Sequence, residues 1–200
     1  TSVVALTGGI VKLGDSYTAL HEKPEWRAYI EPLLPIYPKT GRPLDVFERE
    51  YPELWSLDAE REGKEWRVVG LFNWGENRDI LSTSSSLDYE QEQDLTLSVD
   101  FEDIGLDPNK KHLLFDAWEH SWTWTDAGRA EATLAPRSDR ILVVREEPTE
   151  PAVVFTTRHL LGGAVEVHDE VWDADTKRLS FSVDTVVNDP IRVFLAPGGL

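Results

Sequence analysis

Beyond residue 64 the sequence breaks into short runs of β-branched and aromatic residues, separated by Gly, Pro, Asn and Asp. This punctuation constrains the fold more than any other feature. The runs cover residues 65–73, 94–101, 112–118, 121–125, 130–134, 140–145, 152–157, 164–172, 178–184 and 191–195. Their length and spacing predict a mainly β domain, an antiparallel Greek-key β-sandwich of about eight to ten strands. The first run is the clearest: Arg67 to Phe72 is closed by Asn73-Trp74-Gly75, where glycine permits a turn that a side chain would resist. Asp107-Pro108-Asn109-Lys110 and the stretch from Asp173 to Lys177 read as turns, and residues 82–93 as a polar surface loop.

A different kind of segment leads in. Residues 2–7 form an apolar run that meets Gly8-Gly9, the pattern of a strand covered on both faces in a parallel sheet. A helical fragment beginning at Trp26 must stop by Pro32 and Pro35. Pro32, Pro35, Pro38, Pro43 and Pro52 punctuate an ordered connector that carries Tyr37, Phe47, Tyr51 and Trp55, with a short helix expected over residues 44–51 after Pro43. A charged loop at residues 58–63 sets the expected boundary. Residues 1–62 form a short α/β lead segment and residues 63–200 the sandwich. The sandwich core is expected to draw on strands from Trp66 onward and to survive loss of the lead segment.

Charge and composition exclude several functions. A net charge of −17 disfavours phosphate backbones and anionic membranes, so nucleic acid is not an expected partner. No apolar run approaches the ~20 residues of a membrane span, and a soluble, cytoplasmic chain is expected. With no cysteine, disulfides, thiolate metal sites and cysteine nucleophiles are excluded. The chain contains no Met and opens on Thr1, as an internal piece of a longer polypeptide would. At 40% hydrophobic and 28% charged it has the make-up of a globular protein.

Few residues stand out for chemistry. Residues 9–16 superficially resemble a phosphate loop, but Asp15 stands where the lysine is needed and would repel phosphate. Asp15 follows an apolar run and a Gly-Gly turn, a position that suits a carboxylate at the rim of a barrel site or an N-cap for the segment from Ser16. The histidines His21, His112, His120, His159 and His168 show no metal-ligand spacing, and neither metal nor cofactor is expected. No Gly-x-Ser-x-Gly motif supports a serine nucleophile. Trp118, His120, Trp122 and Trp124 alternate and would share one face of a continuous strand. Such a row either packs a sandwich core, the default for bulky aromatics, or offers Trp122 and Trp124 as a platform for a sugar.

The order of motifs adds a resemblance. The run from Ala5 to Asp15 is followed by the Pro-rich connector. After it come Val69-Gly-Leu-Phe-Asn-Trp74, Phe101-Glu-Asp-Ile-Gly-Leu106, Leu114-Phe-Asp-Ala-Trp118 and Leu134-Ala-Pro-Arg-Ser138 leading into Ile141. The succession resembles the C-terminal region of clan D retaining glycoside hydrolases, the α-galactosidase-like families 27 and 36, in which a (β/α)8 barrel precedes an antiparallel β-sandwich. The stretch from Thr156 to Gly163 resembles a segment near the end of some of these enzymes. By that resemblance Gly8, Gly9 and Asp15 lie at the barrel rim, and the two catalytic aspartates lie on earlier strands that this chain does not match. The resemblance implies an accessory sandwich, not catalytic by itself, whose partner is the N-terminal catalytic barrel of the same enzyme. The alternatives are a carbohydrate-binding module using Trp122 and Trp124, and a sandwich interaction domain with no role in sugar chemistry. A lone apolar strand at residues 3–6 would also favour self-association into a homo-oligomer.

Overall fold

The computed structural model describes residues 1–8, 11, 18, 22–75 and 93–199. Gly9, Asp15, the phosphate-loop-like stretch and nearly all of the polar loop at 82–93 lie outside them. Among the described residues two short α-helices precede twelve strands: α1 (Ser2–Thr7), α2 (Pro24–Ile30), β1 (Arg42–Pro43), β2 (Leu54–Arg61), β3 (Lys64–Asn73), β4 (Leu95–Asp100), β5 (His112–Asp116), β6 (Ser121–Thr125), β7 (Arg129–Leu134), β8 (Ser138–Glu146), β9 (Ala152–Thr156), β10 (Val167–Asp173), β11 (Arg178–Val183) and β12 (Val193–Ala196). The fold is mainly antiparallel β, as the punctuation predicts, and each predicted run from residue 65 onward contains a strand.

The central sheet has the order β1-β2-β3-β8-β5-β6, and every pairing in it is antiparallel. Strands β3, β5 and β8 carry near-continuous apolar runs because both of their faces are covered. On one face Val69, Leu71, Leu114, Leu142 and Val144 meet Leu97, Val99, Ala130 and Leu134 of the β4–β7 ribbon. On the other, Trp66, Val68, Phe115 and Val143 meet Leu6, Tyr37, Phe155, Leu160 and Leu161. These are the ribbon face and the loop face below. The β9–β12 ribbon extends the cover of the loop face over β5, where Phe155 stacks on Phe115 with ring centroids 3.5 Å apart.

Two features of the lead segment differ from expectation. Residues 2–7 are an α-helix, not a strand. An apolar run of that length fits either state by pattern, and here Ser2 and Leu6, four residues apart, bury one helical face. Gly8 ends the helix in the left-handed conformation at φ 59°, and a Cβ there would lie 2.7 Å from the Lys39 carbonyl oxygen. Leu6 fills the space above Gly70 of β3, where a Cβ would come 2.3 Å from its Cδ1. The second feature is β2. It pairs with β3 along its whole length, from Leu54↔Leu71 to Arg61↔Lys64, so Glu62-Gly63, the expected boundary, is the turn of this hairpin. Residues 44–51 form turns instead of a helix, with Asp45 accepting the Glu53 and Leu54 N–H groups at 2.9 and 3.2 Å. No helix of the described residues is long and apolar enough to cross a membrane.

Candidate functional site

The β5–β6 hairpin forms one edge of the central sheet, and its side chains contribute to three separate cavities. Strand β5 stops at Asp116, so Trp118 and His120 sit in the turn and not on the strand with Trp122 and Trp124. The turn is built by Asp116, whose Oδ1 accepts the N–H groups of Trp118 and Glu119 at 3.0 and 2.9 Å while its other oxygen pairs with Arg140. The aromatic row is therefore split between two environments.

Trp122 and Trp124 lie opposite Phe115 and Leu113 across the β5–β6 ladder, on the loop face. The β9–β12 ribbon covers β5 and stops short of β6. The gap is a groove of about 130 Å³ lined by both tryptophans, Val154, Phe194 and Leu195. Trp122 is 55% exposed and Leu195 56%. The two indoles stand edge to face, 80° apart with centroids at 6.5 Å, so they do not form a coplanar platform. Lys111 Nζ lies 4.4 Å over the Trp124 ring and occupies one of its faces. Apart from the indole N–H groups, the side chains lining the groove carry no hydrogen-bonding group, whereas a sugar needs several. The default core placement thus fails for Trp122 and holds in part for Trp124, which is half-buried.

The turn residues face the lead segment. Trp118 donates its indole N–H to Ser2 Oγ at 2.9 Å and packs against Tyr29 of α2, centroids 6.0 Å apart. A cavity of about 270 Å³ opens between Tyr29, Trp118, His120, Thr157 and His159. His120 accepts a hydrogen bond from Arg192 through Nδ1 at 2.9 Å; burial, with the Arg192 charge, holds its pKa below the ordinary histidine range. His159 is fixed as a neutral ring. Its Nε2 donates to the Pro35 carbonyl at 3.0 Å and its Nδ1 accepts the Leu161 N–H at 3.2 Å, and burial lowers its pKa. Both imidazoles thus hold loops together.

The two neighbourhoods join into one surface. From Tyr29 the contacts run through Trp118 to His120, from His120 to Arg192, and from the Arg192 guanidinium over the Phe194 ring at 5.9 Å into the Trp122 groove. On this surface Tyr29 is 59% exposed, and Trp26, one turn earlier on α2, is exposed as well.

Among the described residues five buried carboxylates are committed to the fold: Asp45 and Asp116 to turns, Glu53 to Arg49, Glu166 to the Thr156 hydroxyl, and Glu170 to Arg61, Lys64 and the Val153 N–H. No group of three His, Asp or Glu converges to hold a metal. Of the residues the sequence offers as a site, Trp122 and Trp124 come together. Gly8 acts as a helix cap. Gly9 and Asp15 lie outside the described residues. Sequence reasoning missed Tyr29 and Arg192, which belong to no motif and meet the hairpin only through the tertiary fold.

The class defined by these observations is an antiparallel β-sandwich with an appended helical lead segment. No protein-family model matches the chain, and no curated protein matches it. Among solved structures it is similar to isomalto-dextranase of Arthrobacter globiformis T6, with 19% identity over 76% of this chain and 24% of that chain, at a TM-score of 0.46. It is also similar to alpha-galactosidase I of Mortierella vinacea, with 12% identity over 72% of this chain and 34% of that chain, at a TM-score of 0.43. The chain thus spans about a quarter to a third of the length of these proteins. Likeness at this level carries no functional argument.

Proposed function

We propose that this chain is the accessory β-sandwich portion of an α-galactosidase-like glycoside hydrolase, docked on a catalytic barrel and not catalytic by itself. The observation that carries the reading is the set of exposed aromatic and apolar side chains Tyr29, Trp122 and Leu195, linked through Trp118, His120, Arg192 and Phe194. Large exposed apolar side chains gathered on one side mark surfaces that a partner covers. Two further points support it. The motif order resembles that of the clan D sandwich, and retaining hydrolysis needs a pair of free carboxyl groups about 5 Å apart, whereas Asp116 and Glu146, which line cavities, are each held in an ion pair. The groove beside Trp122 suits apolar side chains better than a saccharide, which ranks docking above the carbohydrate-binding alternative.

The test is the mass and activity of the native polypeptide, isolated with an antibody to this chain, beside the 200-residue chain alone. The account expects a longer product that cleaves an aryl α-galactoside, and no turnover by the short chain. Turnover by the short chain that is lost on mutating one of its own residues would overturn it, as would a native product of 200 residues without activity.

A further inference from the structure

Pairing between β3 and β8 ends at Arg67↔Val144, while β2 follows β3 to Lys64 and β5 follows β8 to Glu146. The sheet therefore parts along its middle at this end, and a cavity of about 360 Å³ occupies the cleft. Lys64, Glu65, Arg67, Arg145 and Glu146 line it, with Val153 of β9 and Leu106 adding apolar wall. In a chain of net charge −17, a cleft with three cations and two carboxylates is unusual.

The cations differ in how they are satisfied. Lys64 pairs with Glu170 at 3.0 Å and Arg67 with Asp58 at 3.1 Å, and Glu146 is held by Lys110 at 2.6 Å. Arg145 is only 9% exposed, and among the described residues no carboxylate forms an ion pair with it. Its guanidinium lies 3.4 Å from the centroid of the Trp66 ring, Nη2 donates to the Gly162 carbonyl at 2.9 Å, and Nε has no acceptor. Burial, with the Arg61 charge nearby, pushes its pKa well below the usual arginine value. Glu170 and Glu166 act on its charge from nearby, but neither is hydrogen-bonded to it; a guanidinium set over an indole in a cleft, with no carboxylate in its fork, is preorganised to receive one.

We propose that this cleft binds a small carboxylate of monosaccharide size, such as a hexuronic acid, with Arg145 taking its charge. The planar fork of arginine matches a carboxylate. Glu65 and Glu146 on the walls disfavour a dianion such as phosphate. The volume stands at the lower end of the ~300–1,000 Å³ range of small-molecule sites. The parted edges of β3 and β8 offer backbone groups to the ligand's hydroxyls, and Leu106 and Val153 meet its carbon skeleton.

The test is amide NMR of the full chain titrated at neutral pH with galacturonate, acetate, inorganic phosphate and, as neutral control, galactose. Galacturonate should shift the amides of residues 64–67, 105–106 and 145–146 saturably, with acetate weaker and galactose and phosphate without effect. Arg145→Gln should weaken galacturonate binding by about tenfold or more. Should that variant fail to fold, Lys64→Gln, which alters the exposed rim, should weaken it by about two- to fivefold. Equal shifts with galactose, tighter binding of phosphate, or no saturable shift with either carboxylate would overturn the proposal. So would galacturonate binding unchanged in the folded variants.

Discussion

The two faces of the central sheet are built from different materials. The ribbon face is aliphatic: valines and leucines of β3, β5 and β8 meet valine, leucine and alanine of β4 and β7, and Phe101 closes one end. The loop face buries Trp66, Phe115 and Phe155, and beside them Arg61, Arg145, Glu166, Glu170 and His159. On the ribbon face a two-stranded ribbon with alternating side chains supplies most of the cover, completed by Phe101 and Ile104 of the turn that follows β4. The loop face is covered by helix, connector and irregular loops, whose backbone groups need partners, and the buried polar side chains supply them. Arg61 reaches the Gly163 and Val153 carbonyls, Trp66 the Leu161 carbonyl and Tyr37 the Glu60 N–H. The exposed aromatic side chains Tyr29 and Trp122 border this same face, so the polar network also positions the loops beside them.

The largest expected effect comes from removing the cover outright. Deletion of residues 1–62 takes away β1, β2 and Leu6, exposing the edge of β3 and the Trp66 layer. The remaining chain is expected to lose cooperative thermal unfolding and NMR dispersion. A sharp transition in the 63–200 fragment would show that the ribbon face suffices for folding.

Breaking the buried ion pair comes next. Glu170→Gln strands Arg61 in a site where both side chains are almost fully buried, at a cost of about 3–5 kcal/mol. The ribbon-face variant Leu97→Ala should cost about 2–5 kcal/mol through its cavity. Urea unfolding distinguishes the mechanisms. Substituting Arg61 and Glu170 together by apolar residues should restore most of the first loss, and no second polar change should rescue Leu97→Ala. A double variant as unstable as Glu170→Gln would mean that the pair contributes through its backbone hydrogen bonds.

Gly70→Ala sharpens the contrast further. The added methyl on the loop face would strike Leu6 and the Phe72 ring, at a cost of about 1–3 kcal/mol. Combined with Leu6→Ala, which opens the space, it should cost less than the sum of the two single changes, read from urea midpoints. Strict additivity would place α1 elsewhere.

Acidification produces the mildest effect. The pKa of His159 is lowered in the folded chain by burial, so the unfolded chain takes up its proton first. Its contribution is present above the ordinary value of 6.5 and is lost as the pH falls below it. Protonation also removes the acceptor for the Leu161 N–H. Amide exchange at Leu161 and in residues 33–37 should quicken from pH 7 to 5.5 ahead of the ribbon face, and His159→Gln should flatten that dependence. Exchange that rises equally on both faces would contradict this role of His159 in holding the loops.

Much of the ribbon face was legible in the sequence, because alternation and turn chemistry specify a two-stranded cover locally. Val99 and Leu97 on β4, like Ala130 and Leu134 on β7, announce their strands without reference to anything distant. The loop face was less legible. The run at residues 2–7 fits strand or helix until Gly70 is known to lie beneath Leu6, and β2 hides among charged residues because Asp58 and Glu60 point outward from a paired strand. The alternation of the Trp row left open whether it shares one face; it does not, because Asp116 ends β5 by binding the Trp118 and Glu119 amides, a turn that a strand pattern does not reveal. Arg145 gave no signal beyond closing an apolar run, since the cleft it lines exists only where two distant strands part.

The docking claim is tested most directly by hydroxyl-radical footprinting of the native polypeptide beside the isolated chain, followed at Trp26, Tyr29, Trp122 and Leu195. The account predicts that all four are readily oxidised in the isolated chain and strongly protected together in the native protein, with the more exposed Val187 as the reference, labelled alike in both. Equal oxidation of the four residues in both samples would contradict it.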